Sequence, residues 1–259
     1  MKRLNLGKFI GLPKVLNNKM LNITINNRLL FVGFSLFSLF SVNANAAESA
    51  STYFSSASFL EVDWDKQDQQ DNYTFDGQWL YGSDYDKLAV LTQGDLIGND
   101  LENSEIQFLY SKYIATFWDA RFGIRQEIKP ESETSLVIGI EGLAPYWFDV
   151  GSSLYVSENG DVSVEIELAY EVQLTQQMVI QFYTNADFNA YSDQTNNVGS
   201  GLAEADYGAQ LRYEFNRHIA VYLDLNKTNA FGDSKSYLEL AGEDYSETAL
   251  RLGAKVFNF

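Results

Sequence analysis

The segment 161–173, "DVSVEIELAYEVQ", is typical of a β-strand because every second residue is apolar. Side chains of a strand point alternately to opposite faces, so this segment has one apolar face and one face that carries Glu165, Glu167 and Glu171. In a soluble sheet the apolar face would be buried and the glutamates would meet water. In a membrane barrel the apolar face would meet lipid and the glutamates would line the lumen. The rest of the chain has to decide between the two.

The beginning of the chain has the pattern of an export signal. Basic residues without any acid are followed by the apolar run "LLFVGFSLFSLFSV" at 29–42 and by Ala44 and Ala46 in A-x-A spacing. That order is typical of a secretory signal peptide. The apolar run is too short to cross a bilayer as a helix. We therefore expect a cleaved signal peptide at 1–46, a short N-terminal periplasmic segment at 47–58 and one folded domain at 59–259.

Charge and cysteine content exclude several classes of protein. The whole chain has a net charge of -17, and the leader holds six basic residues and no acids, so the exported chain has a net charge of -23. Such a polyanion repels nucleic acid, which we exclude as a partner. The chain has no Cys, so disulfides cannot stabilise it outside the cell. After the leader there is no run of about 18 apolar residues, whereas the strands of a barrel would escape that test.

The alternation of the opening segment recurs along the chain and predicts about twelve strands. They are expected at roughly 54–64, 73–82, 86–95, 103–114, 117–128, 134–142, 146–157, 161–173, 178–188, 204–215, 218–228 and 246–258. The fold class predicted is all-β, a transmembrane antiparallel up-and-down β-barrel.

The links between these strands alternate in length. Short links are expected at 83–85, 115–116, 143–145, 174–177 and 216–217, and long polar links at 65–72, 96–102, 189–202 and 228–245. Short turns on one side and long loops on the other are typical of outer-membrane barrels. Tyr and Trp gather at strand ends beside the short turns, as in "PYWF" at 145–148, and such rings favour a membrane–water interface. The polar faces mix charges of both signs with glycine, as in Asp119, Arg121 and Gly123, which favours a lumen over the surface of a soluble sandwich.

Six stretches of the chain resemble the copper resistance protein B family of Gram-negative outer membranes. They are "WLYGSDYDKL" at 79–88, "SEIQFLYSKYIATFWDARFGIR" at 104–125, "EGLAPYWFDV" at 141–150, "AYEVQLTQQMVIQ" at 169–181, "GSGLAEADYGAQLRYEF" at 199–215 and "AGEDYSET" at 241–248. The resemblance extends from about residue 59 to the C-terminus. It implies a barrel in the outer membrane that acts in copper tolerance, together with outer-membrane lipid, lipopolysaccharide and periplasmic copper-handling proteins as partners.

One departure from the family changes what is expected of the copper chemistry. Members often carry a Met- and His-rich segment ahead of the barrel, whereas "AESASTYFSS" at 47–56 holds neither residue. After the leader the chain has one Met, Met178, and one His, His218. Thioether sulfur suits Cu(I) and imidazole suits Cu(II), so these residues do not predict a tight copper-chelating site.

The candidate metal ligands are therefore carboxylates on the predicted lumen face. They are Glu165, Glu167, Glu171, Asp187, Asp206 and Glu214, with Arg121, Arg125 and Arg212 as lumen basic partners and His218 as a possible additional ligand. Carboxylate oxygens bind divalent ions weakly, so a copper ion would be held weakly or transiently. The same acids could instead pair with the arginines in a structural network.

Two functions remain open at this point. The first is a barrel that binds or passes copper through an acidic lumen. The second is a general cation-preferring porin, or a closed structural barrel, without metal specificity. We do not expect an enzyme, because the single His lies in a short turn with no Ser nearby in the sequence to serve as a nucleophile.

Overall fold

The alternating segments form twelve antiparallel strands that close into a barrel. The computed structural model describes residues 55–67, 70–98, 100–129, 132–194 and 197–258. Each strand pairs with its neighbours in sequence, and β1 pairs with β12 to close the sheet. The predicted fold class and strand number are confirmed. The predicted leader, 1–46, lies outside the described residues, as does most of the predicted segment 47–58.

The strand bounds follow the predicted alternation closely. They are β1 Ser55–Gln67, β2 Gln70–Gly82, β3 Asp86–Ile97, β4 Asp100–Ala115, β5 Trp118–Lys129, β6 Glu133–Ala144, β7 Phe148–Ser157, β8 Val162–Gln173, β9 Met178–Asn189, β10 Gly201–Glu214, β11 Ile219–Ala230 and β12 Ser246–Asn258.

The opening segment is β8, and its glutamates face the interior of the barrel. Glu165 accepts a hydrogen bond from Tyr155 on β7, and Glu171 contacts Arg212 on β10, both on the inward face. The apolar side chains lie outside, as on β6, where Leu136, Ile138 and Ile140 are all exposed. This arrangement is the inverse of a soluble sheet, and it suits a barrel whose solvent is lipid.

Five short links mark one end of the barrel, which we call the turn end. They lie at 83–85, 116–117, 145–147, 174–177 and 215–218, within two residues of the predicted positions. The first strand begins and the last strand finishes at this end, since Ser58 pairs with Asn258. The opposite end, which we call the loop end, carries the longer connections 190–200 and 231–245.

Two links that we predicted to be long loops, 65–72 and 96–102, are largely strand instead, at 65–67, 70–72, 96–97 and 100–102. The pairing of β1 with β2 continues to Gln67 and Gln70, and the pairing of β3 with β4 continues to Ile97 and Asp100. The prediction was wrong because polarity was taken to mark a loop. The Asn72 amide donates a 2.8 Å hydrogen bond to the Asp65 carboxylate, and both side chains are buried inside the barrel.

A helix that the sequence did not predict lies in the last long connection. Helix α1 spans Gly232–Ala241 and ends at Gly242, whose φ of 74° is the left-handed conformation that favours glycine. Leu238 and Ser234 are buried, and the Ser234 hydroxyl accepts a 2.8 Å bond from the Gly199 amide. The helix is thereby fixed to the connection between β9 and β10 at the loop end. Within the described residues, no helix is long and apolar enough to cross a membrane.

The interior also contains an apolar row, which the predicted polar lumen did not include. Adjacent inward positions on β2 to β7 form this row: Leu80, Ala89, Leu109, Gly123, Val137 and Tyr155. Val137 is only 2% exposed and Leu109 only 4%. Gly123 is required there because a Cβ atom would overlap the Phe108 carbonyl oxygen of the neighbouring strand. The row gives one wall of the barrel a small hydrophobic core.

On the other wall, two tyrosines each lie across a glycine to reach an aspartate two strands away. Tyr183 on β9 faces Gly208 on β10 and donates a 2.8 Å hydrogen bond to Asp224 on β11. Tyr222 on β11 faces Gly253 on β12 and donates to Asp63 on β1. The glycines leave room for the rings, so the two aspartates receive a donor inside the barrel.

The pair β1–β12 closes the barrel and is held by side chains as well as by backbone. Its described register covers seven residue pairs, from Ser58–Asn258 to Trp64–Leu252. Inside the barrel Lys255 contacts Glu61 at 2.9 Å and Arg251 contacts Asp65 at 3.7 Å. The Tyr222–Asp63 hydrogen bond reaches over β12 to the same strand. We call this pair the seam.

Filling the space beneath a bridging tyrosine should destabilise the barrel. A Cβ atom at Gly208 would lie 2.5 Å from the hydroxyl oxygen of Tyr183, so we expect Gly208→Ala to cost about 1–3 kcal/mol of unfolding free energy. The measurement is urea unfolding followed by tryptophan fluorescence. Gly77→Ala is the matched control, because its nearest neighbour is a Thr92 methyl at 3.0 Å. Equal stability of the two variants would contradict the bridging role of Tyr183.

Candidate functional site

A large cavity opens at the turn end of the barrel, and we call it the vestibule. Its volume is about 1040 Å³, and its inward lining comes from strands around the whole barrel. Seven acids line it, Glu61, Asp76, Asp84, Asp119, Glu141, Asp149 and Glu167, against three bases, Lys87, Arg121 and Lys255. The lining therefore carries a net charge of -4 when these groups are ionised. Walls of low dielectric focus such a field and attract cations.

Each vestibule base contacts one acid. Lys87 lies 2.5 Å from Asp119, Arg121 lies 2.9 Å from Glu141, and Lys255 lies 2.9 Å from Glu61. The Lys255 ammonium also lies 4.4 Å from the centre of the Phe59 ring, a cation–π contact. The bases thus fix part of the acidic lining in place, while the excess of acids over bases keeps the vestibule negative.

Arg212 joins two of the predicted candidate ligands near the turn end. Its guanidinium contacts Glu171 and Glu214, each at 3.0 Å. Glu171 is thus one of the candidate acids that pairs with a predicted lumen arginine, Arg212. Glu167, four residues away on the same face, lies in the vestibule lining opposite Gly151 and Asn185.

A second and much smaller cavity lies at the loop end, and we call it the loop-end cavity. Its volume is about 40 Å³. Arg125 lines it together with five acids, Glu127, Glu133, Asp161, Glu165 and Asp187. Arg125 contacts Glu127 at 2.6 Å and lies 3.9 Å above the Tyr155 ring, and Tyr155 donates a 2.8 Å bond to Glu165. One guanidinium therefore faces five carboxyl groups in this cavity.

Two titratable groups at the rim of this cavity, Asp161 and Tyr191, have raised pKa values. Burial raises the pKa of the Asp161 carboxyl above its usual range, and the nearby Glu133 and Asp193 add to this effect. Burial also raises the pKa of Tyr191 to about 12, with further contributions from Asp161 and Glu133. Both residues lie in connections rather than in strands. Negative charge accumulates where β7, β8 and the 190–200 connection meet.

The structure separates the predicted ligands instead of gathering them. Glu165 and Asp187 line the loop-end cavity, Glu167 lines the vestibule, and Asp206 accepts a hydrogen bond from Thr228. His218 is exposed in a turn, with its Nδ1 atom 3.2 Å from the Phe257 carbonyl oxygen. Across the described part of the chain, no group of three His, Asp or Glu side chains is positioned to hold a metal ion. Sequence reasoning missed that the vestibule acids come from many strands, because strand tilt and register are needed to bring them together.

A closed antiparallel barrel with lipid-facing apolar strands, exposed aromatics at its short turns and a polar interior is an outer-membrane β-barrel. Tyr146 is 83% exposed and Trp147 is 73% exposed, as expected for rings at a membrane interface. A solved structure of the NanC porin has the same fold, with a TM-score of 0.54 and 10% identity, covering 78% of this chain and 100% of the porin chain.

The chain belongs to the copper resistance protein B family. The family model described as copper resistance protein B precursor matches residues 53–258. Copper resistance protein B of Escherichia coli is 26% identical over 198 residues, covering 76% of this chain and 67% of that protein. The copper resistance protein B homolog of Pseudomonas syringae pv. tomato is 25% identical over the same shares. The resemblance seen in the sequence and the location in a Gram-negative outer membrane are both confirmed.

Removing the charge at the rim of the loop-end cavity should stabilise the protein in a pH-dependent way. Because the pKa of Asp161 is higher in the folded than in the unfolded chain, the folded state binds its proton more tightly. Ionisation therefore costs stability as the pH rises above the ordinary aspartate value of 3.8. We expect Asp161→Asn to raise the melting temperature at neutral pH, and the gain to vanish as the pH falls below that value.

The measurement is the melting temperature of both proteins across that pH range. Glu158→Gln, an exposed acid three residues away, is the control and should change little. A gain from Asp161→Asn that is independent of pH would contradict the electrostatic explanation.

Proposed function

We propose that the protein acts in copper tolerance by admitting copper ions from the periplasm into the vestibule, where they are held weakly and exchange quickly. The role is non-catalytic. The observation that carries the proposal is the vestibule lining of seven acids and three bases in a chain of this family. A family concerned with copper and a cavity that attracts cations support the same conclusion independently.

The ligand chemistry supports exchange rather than storage. Carboxylate oxygens hold Cu(II) weakly when they do not form a preformed chelate, and Cu(I) prefers sulfur. The described interior offers carboxylate oxygens and a few amide groups, whereas Met178, at the start of β9, pairs with Tyr213 on the outward face. A cargo that enters such a vestibule remains free to leave it. Fast release of copper suits a protein that passes the ion on, whereas a storage protein would need tight binding.

The orientation of the barrel supports entry from the periplasm. In outer-membrane barrels the short turns face the periplasm and the longer loops face outwards. The vestibule opens at the turn end, whereas acids at the loop end, such as Glu105, Glu127 and Glu204, are buried. We therefore propose that periplasmic copper-handling proteins are the source of the cargo and that the rim of exposed aromatics anchors the mouth in lipid.

A second function has one observation in its favour. The scarcity of Met and His, one of each after the leader, favours a general cation-preferring porin, since the vestibule acids would attract any cation. A closed structural barrel is the limiting case of this alternative, supported by the buried polar side chains of the loop end. Copper specificity distinguishes these functions from the first.

Copper tolerance of a deletion strain tests the proposal. The strain should become copper-sensitive, and the wild-type gene should restore growth. A triple variant, Glu61→Gln, Asp76→Asn and Glu167→Gln, removes three vestibule charges and should restore little tolerance. The control variant Glu158→Gln, Glu239→Gln and Asp233→Asn removes three exposed charges at the loop end and should restore it fully. Equal rescue by both variants would contradict a role for the vestibule.

Flux into liposomes separates the two functions. We expect the purified barrel to admit Cu²⁺ several-fold faster than Na⁺ at equal driving force, and the vestibule variant to lose that difference. Equal permeability to the two ions would favour the general porin. Planar-bilayer recordings that show anion selectivity would contradict both forms of the cation proposal.

A further inference from the structure

Three carboxylates lie side by side across adjacent strands at the loop end. Glu165 on β8 is directly opposite Asp187 on β9, and Asp187 is directly opposite Glu204 on β10. Directly opposed residues on one face have Cβ atoms about 5 Å apart, and like charges in that position destabilise a sheet. We call these three residues the acidic row. Two of them, Glu165 and Asp187, also line the loop-end cavity.

Glu204 is the most unusual member of the row. Its side chain is 0% exposed, and no N–H or O–H donor group of the described residues hydrogen-bonds to either carboxylate oxygen. Its neighbour along the strand is another acid, Asp206, which accepts a bond from Thr228. A buried carboxylate without a compensating charge or donor is strongly destabilising. Its charge therefore has to be neutralised, either by a cation or by a proton shared with the adjacent Asp206 carboxyl.

The nearest bases are already engaged elsewhere. Arg125 contacts Glu127 and lies over the Tyr155 ring, and Arg251 contacts Asp65 at the seam. The loop-end cavity alone brings five acids to one base. Acids thus outnumber bases at this end, and a bound cation would balance the difference.

We propose that the loop-end cavity and the acidic row bind a hard divalent cation, Ca²⁺ or Mg²⁺, as a structural site at the outer end of the barrel. Oxygen ligands suit these ions, and the cavity presents carboxylates together with the hydroxyls of Ser135, Ser157 and Ser163. A volume of about 40 Å³ is enough for an ion with a few waters. Because no three acids form a preformed chelate, the ion keeps part of its hydration shell, as Mg²⁺ commonly does with one or two carboxylates.

The site is independent of the proposed copper function. It lies at the opposite end of the barrel from the vestibule, and its ligands are hard oxygens. Its occupant would neutralise the acidic row and hold β8, β9 and β10 together beneath the 190–200 connection. Failure of copper transport would leave this proposal standing, and the converse also holds.

Thermal unfolding of the purified full chain in detergent tests the proposal. After treatment with a chelator, addition of Ca²⁺ or Mg²⁺ at about 100 times its dissociation constant should raise the melting temperature by roughly 5–10 °C. Glu204→Gln should abolish most of that rise, because the neutral amide carries no charge for the cation to balance. Glu158→Gln, at the same end but exposed, should keep it in full.

Several outcomes would overturn the proposal. They are the absence of any rise in the wild-type protein, an undiminished rise in Glu204→Gln, and a rise with Cu²⁺ but not with Ca²⁺ or Mg²⁺. If the wild-type protein shows no rise with cations while Glu204→Gln is more stable than the wild type, the row is neutralised by protons instead. Should Glu204→Gln fail to fold, Mn²⁺ binding to the wild-type chain, followed by electron paramagnetic resonance, replaces it. Binding that Ca²⁺ or Mg²⁺ displaces and Asp187→Asn weakens supports the site, and absence of binding refutes it.

Discussion

The rest of the structure depends on the closure of the backbone hydrogen-bond network. In the hydrocarbon core of a bilayer no water can satisfy an exposed amide, so a sheet must have no edge. Pairing β1 with β12 removes both edges and fixes which face of every strand looks inwards. Once the apolar faces meet lipid, the polar residues have nowhere to go but the interior. The vestibule, the loop-end cavity and the bridging tyrosines all follow from that one constraint.

The interior is a compromise between packing and charge. On the wall from β2 to β7 an apolar row fills the space, and glycine at 123 lets neighbouring strands approach closely. On the other wall two tyrosine rings lie over glycines and donate hydrogen bonds to aspartates. Basic side chains there also form ion pairs with acids of the neighbouring strands. Neither device neutralises all the acids. The excess is what attracts cations at the turn end, and at the loop end it is what makes a buried row of acids costly.

The periodic features of the structure could be predicted from the sequence, and those that depend on register could not. The alternation at 161–173 is strict, so β8 and the direction of its glutamates were accessible. The segment 65–72 was predicted to be a loop because a polar run is typical of loops. Its polar residues instead face a polar lumen, where Asn72 donates a hydrogen bond to Asp65. Helix α1 is short and has one buried leucine, which is too weak a signal. The joining of Glu165 to Asp187, and of Asp187 to Glu204, depends on strand pairing that no local pattern reveals.

The seam has a consequence for how the barrel is made. Every other pairing joins strands that are consecutive in sequence, whereas the pairing of β1 with β12 has to wait until β12 has formed. The first strand carries Glu61, Asp63 and Asp65 inside, and the last carries Arg251 and Lys255. Opposite charges on the two late-meeting edges would draw them together and penalise a slipped alignment. The ion pairs at the seam thus favour the register in which β1 and β12 close the barrel.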